Sequence, residues 1–292
     1  MDLDAEKQKK LKKLVNLVNR SEISSIKSIV SGVVRIINDP KSSIWDLKEM
    51  VEIDPPLTAK VLRVANSVYY SPPQKIGEIK QALIWIGFDT LKEMALSQKV
   101  AGIFNENDSI NGHSIHSLWK HSVAVALLTK MIYRREFRKR GANAYVAGLL
   151  HDIGIIVESQ FLQNDFSLVL SKAKHEKKNL SEAEQEVLGL HHADIGMAIA
   201  ENWNLPQELV TAIGYHDSPL EAEQEFSKLA STLYIAEDCS QNSSIGYSEA
   251  PFRNNEVFDK CLTELNIDPH ALDLIVADAK RELNEMEEQG LF

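Results

Sequence analysis

Apolar residues recur at intervals of three or four positions along most of the 292-residue chain. That interval places them on one face of an α-helix, whereas a half-buried strand would alternate apolar and polar residues. No stretch shows a convincing alternation of this kind. Glycine and proline, which interrupt helices, are sparse. The pattern therefore predicts an all-α fold.

Polar and turn-forming stretches divide the predicted helices into four segments. Residues 1–20 form a basic leader helix, and residues 21–110 form an N-terminal helical subdomain. The polar run at residues 105–112 marks the boundary with a histidine-rich helical subdomain over residues 111–240. Residues 241–292 then supply a surface loop and the closing helices of the chain.

The leader helix combines five lysines with one short stripe of leucine and valine. A basic amphipathic helix can contact an anionic surface or a partner protein. A single short apolar stripe is more typical of a helix that docks on its own protein and leaves its lysines in water. The docked arrangement is the favoured interpretation.

Composition limits the classes of function. Hydrophobic residues make up 44% of the chain, but no apolar run approaches the ~18–20 residues that span a bilayer. We therefore expect no transmembrane segment. Only two cysteines are present, Cys239 and Cys261, which fits a reducing cytoplasm. A net charge of −10 argues against nucleic-acid binding, which requires a basic surface.

An adjacent pair, His151 and Asp152, follows an apolar stretch directly. An imidazole nitrogen next to a carboxylate oxygen forms a compact corner for a divalent metal such as Fe, Mn, Zn or Mg. Two ligands do not make a site, so the rest of the chain has to supply more.

Two further histidines lie on apolar helix faces. His121 shares a stripe with leucine, valine and isoleucine, although a lone histidine there is more often a hydrogen-bonded core residue. His192 shares a face with Leu188 and Ile195, while His191 lies about 100° away and is expected in solvent. His121 and His192 therefore become candidate ligands that point inward.

A second pair, His216 and Asp217, precedes Pro219, where a helix ends. A histidine at a helix C-terminus followed by a turn-forming aspartate is an equally simple explanation. Glu237 and Asp238 end a further apolar stretch, and periodicity does not choose which of the two faces inward. Either one, or neither, completes the set of candidate ligands.

Several motifs in a fixed order resemble the HDOD family, the HD-related output domains of bacterial signalling. They are Ile-Asp-Pro-Pro-Leu-Thr-Ala-Lys-Val-Leu-Arg-Val-Ala-Asn-Ser (53–67), Ala-Leu-Ile-Trp-Ile-Gly (82–87), Leu-Trp-Lys-His-Ser (118–122), Gly-Leu-Leu-His-Asp-Ile-Gly (148–154), Leu-Gly-Leu-His-His-Ala-Asp-Ile-Gly (188–196) and Trp-Asn-Leu-Pro (203–206). The resemblance implies an N-terminal helical bundle packed on an HD-like helical bundle, within the superfamily of HD phosphohydrolases.

The resemblance also implies which residues hold a metal. Carried over position by position, the ligand set is His121, His151, Asp152, His192, His216 and Asp217, followed by Glu237 or Asp238. Carboxylate-rich sites of this kind suit Fe or Mn, and three imidazoles also tolerate Zn or Ni. One ion or two ions would fit such a set.

Departures from the family pattern weigh against catalysis. Asp217 stands where relatives with a full site have a second histidine, and Ile155 replaces the lysine of the catalytic HD enzymes. We therefore expect a regulatory module that acts mainly without catalysis, through a signalling protein that the sequence does not identify. The alternative is a metal-dependent phosphohydrolase of nucleotides or phosphodiesters, with Asp152 as the best catalytic candidate. A plain helical scaffold and a homodimer also remain open.

Overall fold

The computed structural model describes residues 3–52, 54–67, 70–104, 109–110, 113–245 and 254–288. These residues confirm the predicted all-α fold. The helices are α1 (Leu3–Val18), α2 (Ile23–Asn38), α3 (Ile44–Glu52), α4 (Pro55–Ala65), α5 (Ile79–Ile86), α6 (Phe88–Ala101), α7 (Ile115–Arg135), α8 (Ala142–Leu150), α9 (Ile153–Phe161), α10 (Gln163–Glu176), α11 (Leu180–Val187), α12 (His192–Asn202), α13 (Gln207–Gly214), α14 (Ser227–Asn242), α15 (Asn255–Leu265) and α16 (Pro269–Glu288).

Two minor elements accompany the helices. A short 3₁₀ helix spans Pro219–Glu221. Strands β1 (Ser109–Ile110) and β2 (His113–Ser114) pair in an antiparallel ladder, with Ser109 opposite Ser114. Strands of two residues are too short to show an alternating pattern, so the sequence could not reveal them.

Capping residues fix the helices of the N-terminal half. Asp54 accepts a hydrogen bond from the backbone N–H of Leu57, and prolines occupy the first turn of α4. Gly87 separates α5 from α6 with a φ of 90°, a conformation that favours glycine. The side-chain amide of Asn66 donates to the backbone carbonyl of Ile76 and accepts from its backbone N–H, both at 2.8 Å, and so holds the connection after α4. This contact gives a structural role to the asparagine at position 66 of the motif at residues 53–67.

Buried apolar side chains form two hydrophobic cores. The smaller core lies among α2 to α6, from Ile36 to Ala95. The larger core draws on α1, most of α2, the end of α6 and every helix from α7 to α16. The cores therefore share α2 and α6, and the two halves of the chain are packed together rather than separated at one point. The predicted segment boundaries stay predictions.

Helix α1 docks on the larger core through its leucine and valine side. Leu11, Leu14 and Val18 are buried there. Lys7 forms an ion pair of 2.8 Å with Asp194, and Lys10 donates to the carbonyl of Leu188 at 3.1 Å. The helix thus covers the region where α12 begins.

The last helix runs back along α7. Arg135 pairs with Asp278 at 2.6 Å, and Lys120 pairs with Glu287 at 2.7 Å. These two ion pairs lie near opposite ends of α7, so α16 follows most of that helix. In the described ranges, no helix has the length and apolar character needed to cross a membrane.

Close helix contacts position the residues around His151. A Cβ on Gly148 would lie 2.5 Å from the Cα of Ala126, because α8 crosses α7 at that point. A Cβ on Gly154 would lie 1.9 Å from the carbonyl oxygen of His192. Real side chains do not approach this closely, so only glycine allows α8 and α9 to reach their places.

We expect Gly148→Ala to lower the free energy of unfolding by about 1–3 kcal/mol, because the added methyl group forces α8 away from α7. Urea denaturation at equilibrium measures the difference. Gly77→Ala is the matched control, since no atom lies within 4 Å of its added Cβ. The control should change stability by less than about 0.5 kcal/mol. Equal stability of the two variants would contradict the close crossing.

Candidate metal centre

The ends of several helices bring the predicted ligands to one point in the HD-like half. His121 lies within α7, His151 and Asp152 connect α8 to α9, and His192 begins α12. His216 follows α13, and the four histidines and Asp152 are all buried. The sequence separates these residues by up to 95 positions, and the packing of the helices unites them.

A first group of ligand atoms surrounds one oxygen of Asp152. The Nε2 atoms of His121 and His151 lie 3.6 Å and 3.2 Å from Asp152 Oδ2. Glu237 Oε2 lies 2.9 Å from His121 Nε2 and 3.1 Å from His151 Nε2. Two imidazoles and two carboxylates therefore converge within the space of one ion.

A second group surrounds the other oxygen of Asp152. His192 Nε2 and His216 Nε2 lie 3.7 Å and 3.6 Å from Asp152 Oδ1, and 3.2 Å from each other. Asp217 lies 3.5 Å from His192 Nε2 through Oδ2 and 3.7 Å from His216 Nε2 through Oδ1. Asp152 is thus shared by both groups, with one oxygen facing each.

The opposite nitrogen of each ring is held by a partner outside the centre. His151 Nδ1 lies 2.7 Å from the carbonyl of Gly148, and His216 Nδ1 lies 2.7 Å from the carbonyl of Ile213. A carbonyl only accepts, so Nδ1 carries the proton and Nε2 keeps its lone pair. Ser240 Oγ lies 3.3 Å from His121 Nδ1. All four histidines therefore present Nε2 to the centre, as metal-binding histidines do.

Glu184 holds His192, and sequence reasoning missed it. Its carboxylate lies 2.8 Å and 2.9 Å from His192 Nδ1 and also accepts the backbone N–H of His192. Glu184 is fully buried on α11, a helix that is otherwise largely polar. The one available signal was its position between Leu180 and Leu188, where the helical period expects an apolar residue.

Glu158 lies behind Glu184 and is also fully buried. Burial and the neighbouring Glu184 carboxylate raise the pKa of Glu158 well above its usual value. Neither of its oxygens has a hydrogen-bond partner among the described residues. Burial and the nearby carboxylate of Glu184 thus both favour the neutral form of Glu158.

Unpaired acceptor atoms at the centre favour a bound cation. His151 Nε2 and Glu237 Oε2 are both buried without a hydrogen-bond partner in the described part of the chain. They face each other at 3.1 Å, although with Nδ1 protonated each offers only a lone pair. Two lone pairs at this distance need a metal ion or a proton between them, so the residues present fit a bound metal.

The pKa shifts of His151, His192 and Glu237 also indicate that the centre favours positive charge. Burial disfavours the imidazolium form, but Asp152 and Glu237 outweigh it and raise the pKa of His151 well above its usual value. Burial also opposes protonation of His192, where Glu184 prevails and raises the pKa well above its usual value. Burial alone would raise the pKa of Glu237, but His121 and His151 hold it well below its usual range. The centre therefore draws positive charge, as protons or as metal.

The remaining candidates differ in their placement. Asp217 has a side chain that is 40% exposed and accepts a hydrogen bond from Ser181. It therefore marks the side from which the centre meets solvent. Asp238 lies outside both groups, and its carboxylate accepts from Asn242 Nδ2 at 2.8 Å. Of the two acids left open by the sequence, Glu237 is the one whose carboxylate contacts the histidines.

Two further positions lie outside both groups of ligand atoms. His191, expected in solvent, is partly exposed, and Ile155 is buried. His191 is only partly buried, and its backbone N–H donates to Asp194 at the start of α12. Ile155, which stands in the place of the lysine of catalytic HD enzymes, is 4% exposed and belongs to the larger core. Its side chain contributes to packing and adds no charge to the centre.

Comparison with known proteins defines the class. The HDOD domain profile matches residues 23–219, which is more than half of the chain. The chain therefore belongs to the HDOD domain family, and the predicted resemblance is confirmed. Among solved structures, an HDOD domain protein of unknown function from Geobacter sulfurreducens is 26% identical, with a TM-score of 0.75 and 92% of each chain covered.

More distant structures share the fold. A candidate signal-transduction protein from Marinobacter aquaeolei VT8 is 23% identical, with a TM-score of 0.70; 90% of this chain and 58% of that chain are covered. A candidate phosphohydrolase from Shewanella amazonensis SB2B is 21% identical, with a TM-score of 0.63 and 93% and 96% covered. An uncharacterised protein of Treponema pallidum (strain Nichols) is 22% identical over 205 residues, which span 70% of this chain and 39% of that protein.

We expect Glu184→Gln to weaken metal binding by about 10–100-fold, because the amide keeps the shape of the side chain but removes the charge that orients His192. Competition with a chelating dye of known affinity measures this change. Glu186→Gln is the matched control, since Glu186 lies two residues away on the surface and pairs with Lys172 and Lys178. Equal metal affinity in the two variants would contradict a role for Glu184.

Proposed function

We propose that this chain is a regulatory HDOD module of bacterial signalling, located in the cytoplasm, whose HD-like half holds a divalent metal. Its output is contact with another signalling protein rather than turnover of a substrate. The observation that carries the proposal is the shared placement of Asp152 between two groups of buried histidines. The metal stabilises the arrangement of helices that the partner recognises.

The ligand set supports Fe or Mn as the first choice. Four imidazoles and the carboxylates of Asp152, Glu237 and Asp217 combine nitrogen with hard oxygen donors, and Zn or Ni is also compatible with them. Asp152 presents one oxygen to each group. This arrangement favours two ions over one, with the first near Glu237 and the second near Asp217.

Two features support a regulatory role. Ile155 is buried at the position where a lysine would contact a phosphate, so that charge is missing from the centre. The surface of the N-terminal half exposes the large apolar side chains of Trp45, Ile84 and Trp85. Exposed aromatic side chains of this kind are enriched at protein interfaces. Contact with a signalling protein, or with a second copy of the chain, would use such a surface.

A metal-dependent phosphohydrolase is the second candidate, because the centre is accessible. Asp217 is 40% exposed beside two buried histidines, so a small phosphoester could approach from that side. Bound metal would polarise a phosphoryl oxygen and lower the pKa of a water molecule. Asp152 would hold both ions in this case and is the residue on which turnover would depend most.

Protein purified without chelators should contain between about one and two equivalents of divalent metal per chain. Asp152→Asn should lose at least about half of it, because the amide no longer offers a charged oxygen to each group. Elemental analysis by plasma mass spectrometry measures both proteins. Asp165→Asn, an exposed position on α10, is the matched control and should keep the full content. Less than about 0.2 equivalents in the wild type would overturn the metal centre.

The metal-loaded protein should not hydrolyse phosphodiesters or nucleotides, because no lysine follows the His-Asp motif to hold the phosphate. Release of nitrophenol from a nitrophenyl phosphodiester, and of phosphate from a nucleotide panel, measures turnover in Fe- and Mn-loaded protein. The contrary result is metal-dependent turnover in the wild type that disappears in Asp152→Ala. That result would establish the second candidate function.

A further inference from the structure

Helix α1 presents a second side that faces away from the core. Its apolar side is buried, and Lys7 and Lys10 contact Asp194 and the carbonyl of Leu188. The opposite side carries exposed residues at intervals of three and four positions, which places them on one face of the helix. This basic face consists of Lys9, Lys12, Lys13, Asn16 and Leu17, with Arg20 in the turn after the helix. Its six residues border one shallow recess of the surface.

The basic face carries positive charge that the chain does not compensate. None of its lysines, nor Arg20, forms an ion pair or a hydrogen bond through its side chain with the described residues. From residue 7 to residue 20 the sequence contains no acidic residue. The preceding acid, Glu6, lies 3.8 Å from Lys10. The face is therefore strongly positive, although the whole chain has a net charge of −10.

A second basic run, at residues 134–140, differs in this respect. Glu136 interrupts the run, and Arg135 pairs with Asp278 at 2.6 Å. Part of its charge is thus neutralised within the chain. The basic face of α1 is therefore the better surface for an external anion.

We propose that the basic face of α1 binds the surface of an anionic lipid bilayer. Clusters of lysine and arginine on an amphipathic helix are attracted to the negative charge of such a surface. Leu17 lies between Lys13 and Arg20 along the face and is 37% exposed. Its side chain enters the boundary between headgroups and acyl chains, while the neighbouring cations contact lipid phosphates.

The composition of the face favours a bilayer over a protein partner. Lysine is depleted at protein interfaces, where aromatic residues and arginine carry most of the binding energy. The basic face is rich in lysine and has no aromatic side chain. A lysine ammonium group on its flexible stem is a point charge that needs no fixed partner geometry. Such a face suits the diffuse charge of lipid headgroups.

The contact is shallow and reversible. Leu11, Leu14 and Val18 are already buried against the chain and are not available to the lipid. Among the described side chains of α1, Leu17 is the one large apolar residue that is exposed. Binding therefore depends mainly on charge. It should weaken steeply with salt, since the Debye length falls from about 10 Å at 0.1 M to about 3 Å at 1 M.

Sedimentation of the untagged full chain with lipid vesicles tests the proposal. One set of vesicles is phosphatidylcholine with about 30% phosphatidylglycerol, and the other is phosphatidylcholine alone. At about 0.05 M salt, the partition coefficient should be at least about tenfold higher for the anionic vesicles, and about 0.5 M salt should abolish most of this difference. Equal binding to both vesicles, or no binding to the anionic ones, overturns the proposal.

Variants then locate the contact. The double variant Lys12→Gln/Lys13→Gln should lower the partition coefficient on anionic vesicles by about tenfold or more, because each cation near the surface contributes a factor of about five. Lys139→Gln/Lys280→Gln is the matched control, which removes the same charge from exposed positions outside the basic face. Thermal unfolding verifies that both variants are folded. Unchanged binding by the first variant, or an equal loss in the control, would overturn the assignment to α1.

Anisotropy of labelled poly-L-glutamate separates the bilayer from an acidic protein partner. At equal concentrations of anionic groups, the peptide should bind more weakly than the vesicles, because it offers Leu17 no apolar layer. Peptide binding that is lost in Lys12→Gln/Lys13→Gln, with no binding to vesicles, would assign the face to an acidic protein and overturn the proposal. These variants leave the metal ligands intact, so the results do not depend on the metal centre.

Discussion

The HD-like half depends on the contacts that the Asp152 carboxylate makes with four buried histidines. It lies at the junction of α8 and α9, and its two oxygens are surrounded by histidines from within α7, from the start of α12 and from just after α8 and α13. Burying this much ionisable surface is unfavourable unless each group finds an opposite charge or a hydrogen bond. Because Gly148 and Gly154 have no side chain, the helices approach closely enough for that pairing.

The sequence predicts the inward residues well wherever the helical period is the deciding signal. His121 and His192 lie on apolar stripes and are buried in the fold. Period alone could not choose between Glu237 and Asp238, since both follow the same apolar stretch. The choice depends on the rotation of α14 against α7, which places Glu237 2.9 Å from His121. Tertiary packing sets that rotation, so the local sequence of α14 does not reveal it.

Glu184 shows a different limit of sequence reasoning. A glutamate on a polar helix is usually solvated. The helical period in α11 hints that residue 184 is buried, but it does not indicate that the carboxylate contacts the first residue of α12. Its role depends on tertiary packing, which brings its carboxylate to the backbone N–H and the Nδ1 of His192. The boundary between the two halves of the chain is also hard to predict from the sequence. Helices α2 and α6 contribute residues to both cores, and this depends on tertiary packing.

Helices α7 and α8 connect the metal centre to a cavity of about 220 Å³ that is bounded by α4, α6, α7, α8 and α16. Helix α7 carries His121 toward one and Leu127, Lys130 and Arg134 toward the other, while α8 presents Tyr145 to the cavity and ends at His151. Both regions share α7 and α8, so a change in the packing of these two helices would reach the metal centre and the cavity alike. Because coupling free energies are reciprocal, a ligand that tightened metal binding would itself bind more tightly to the metal-loaded protein.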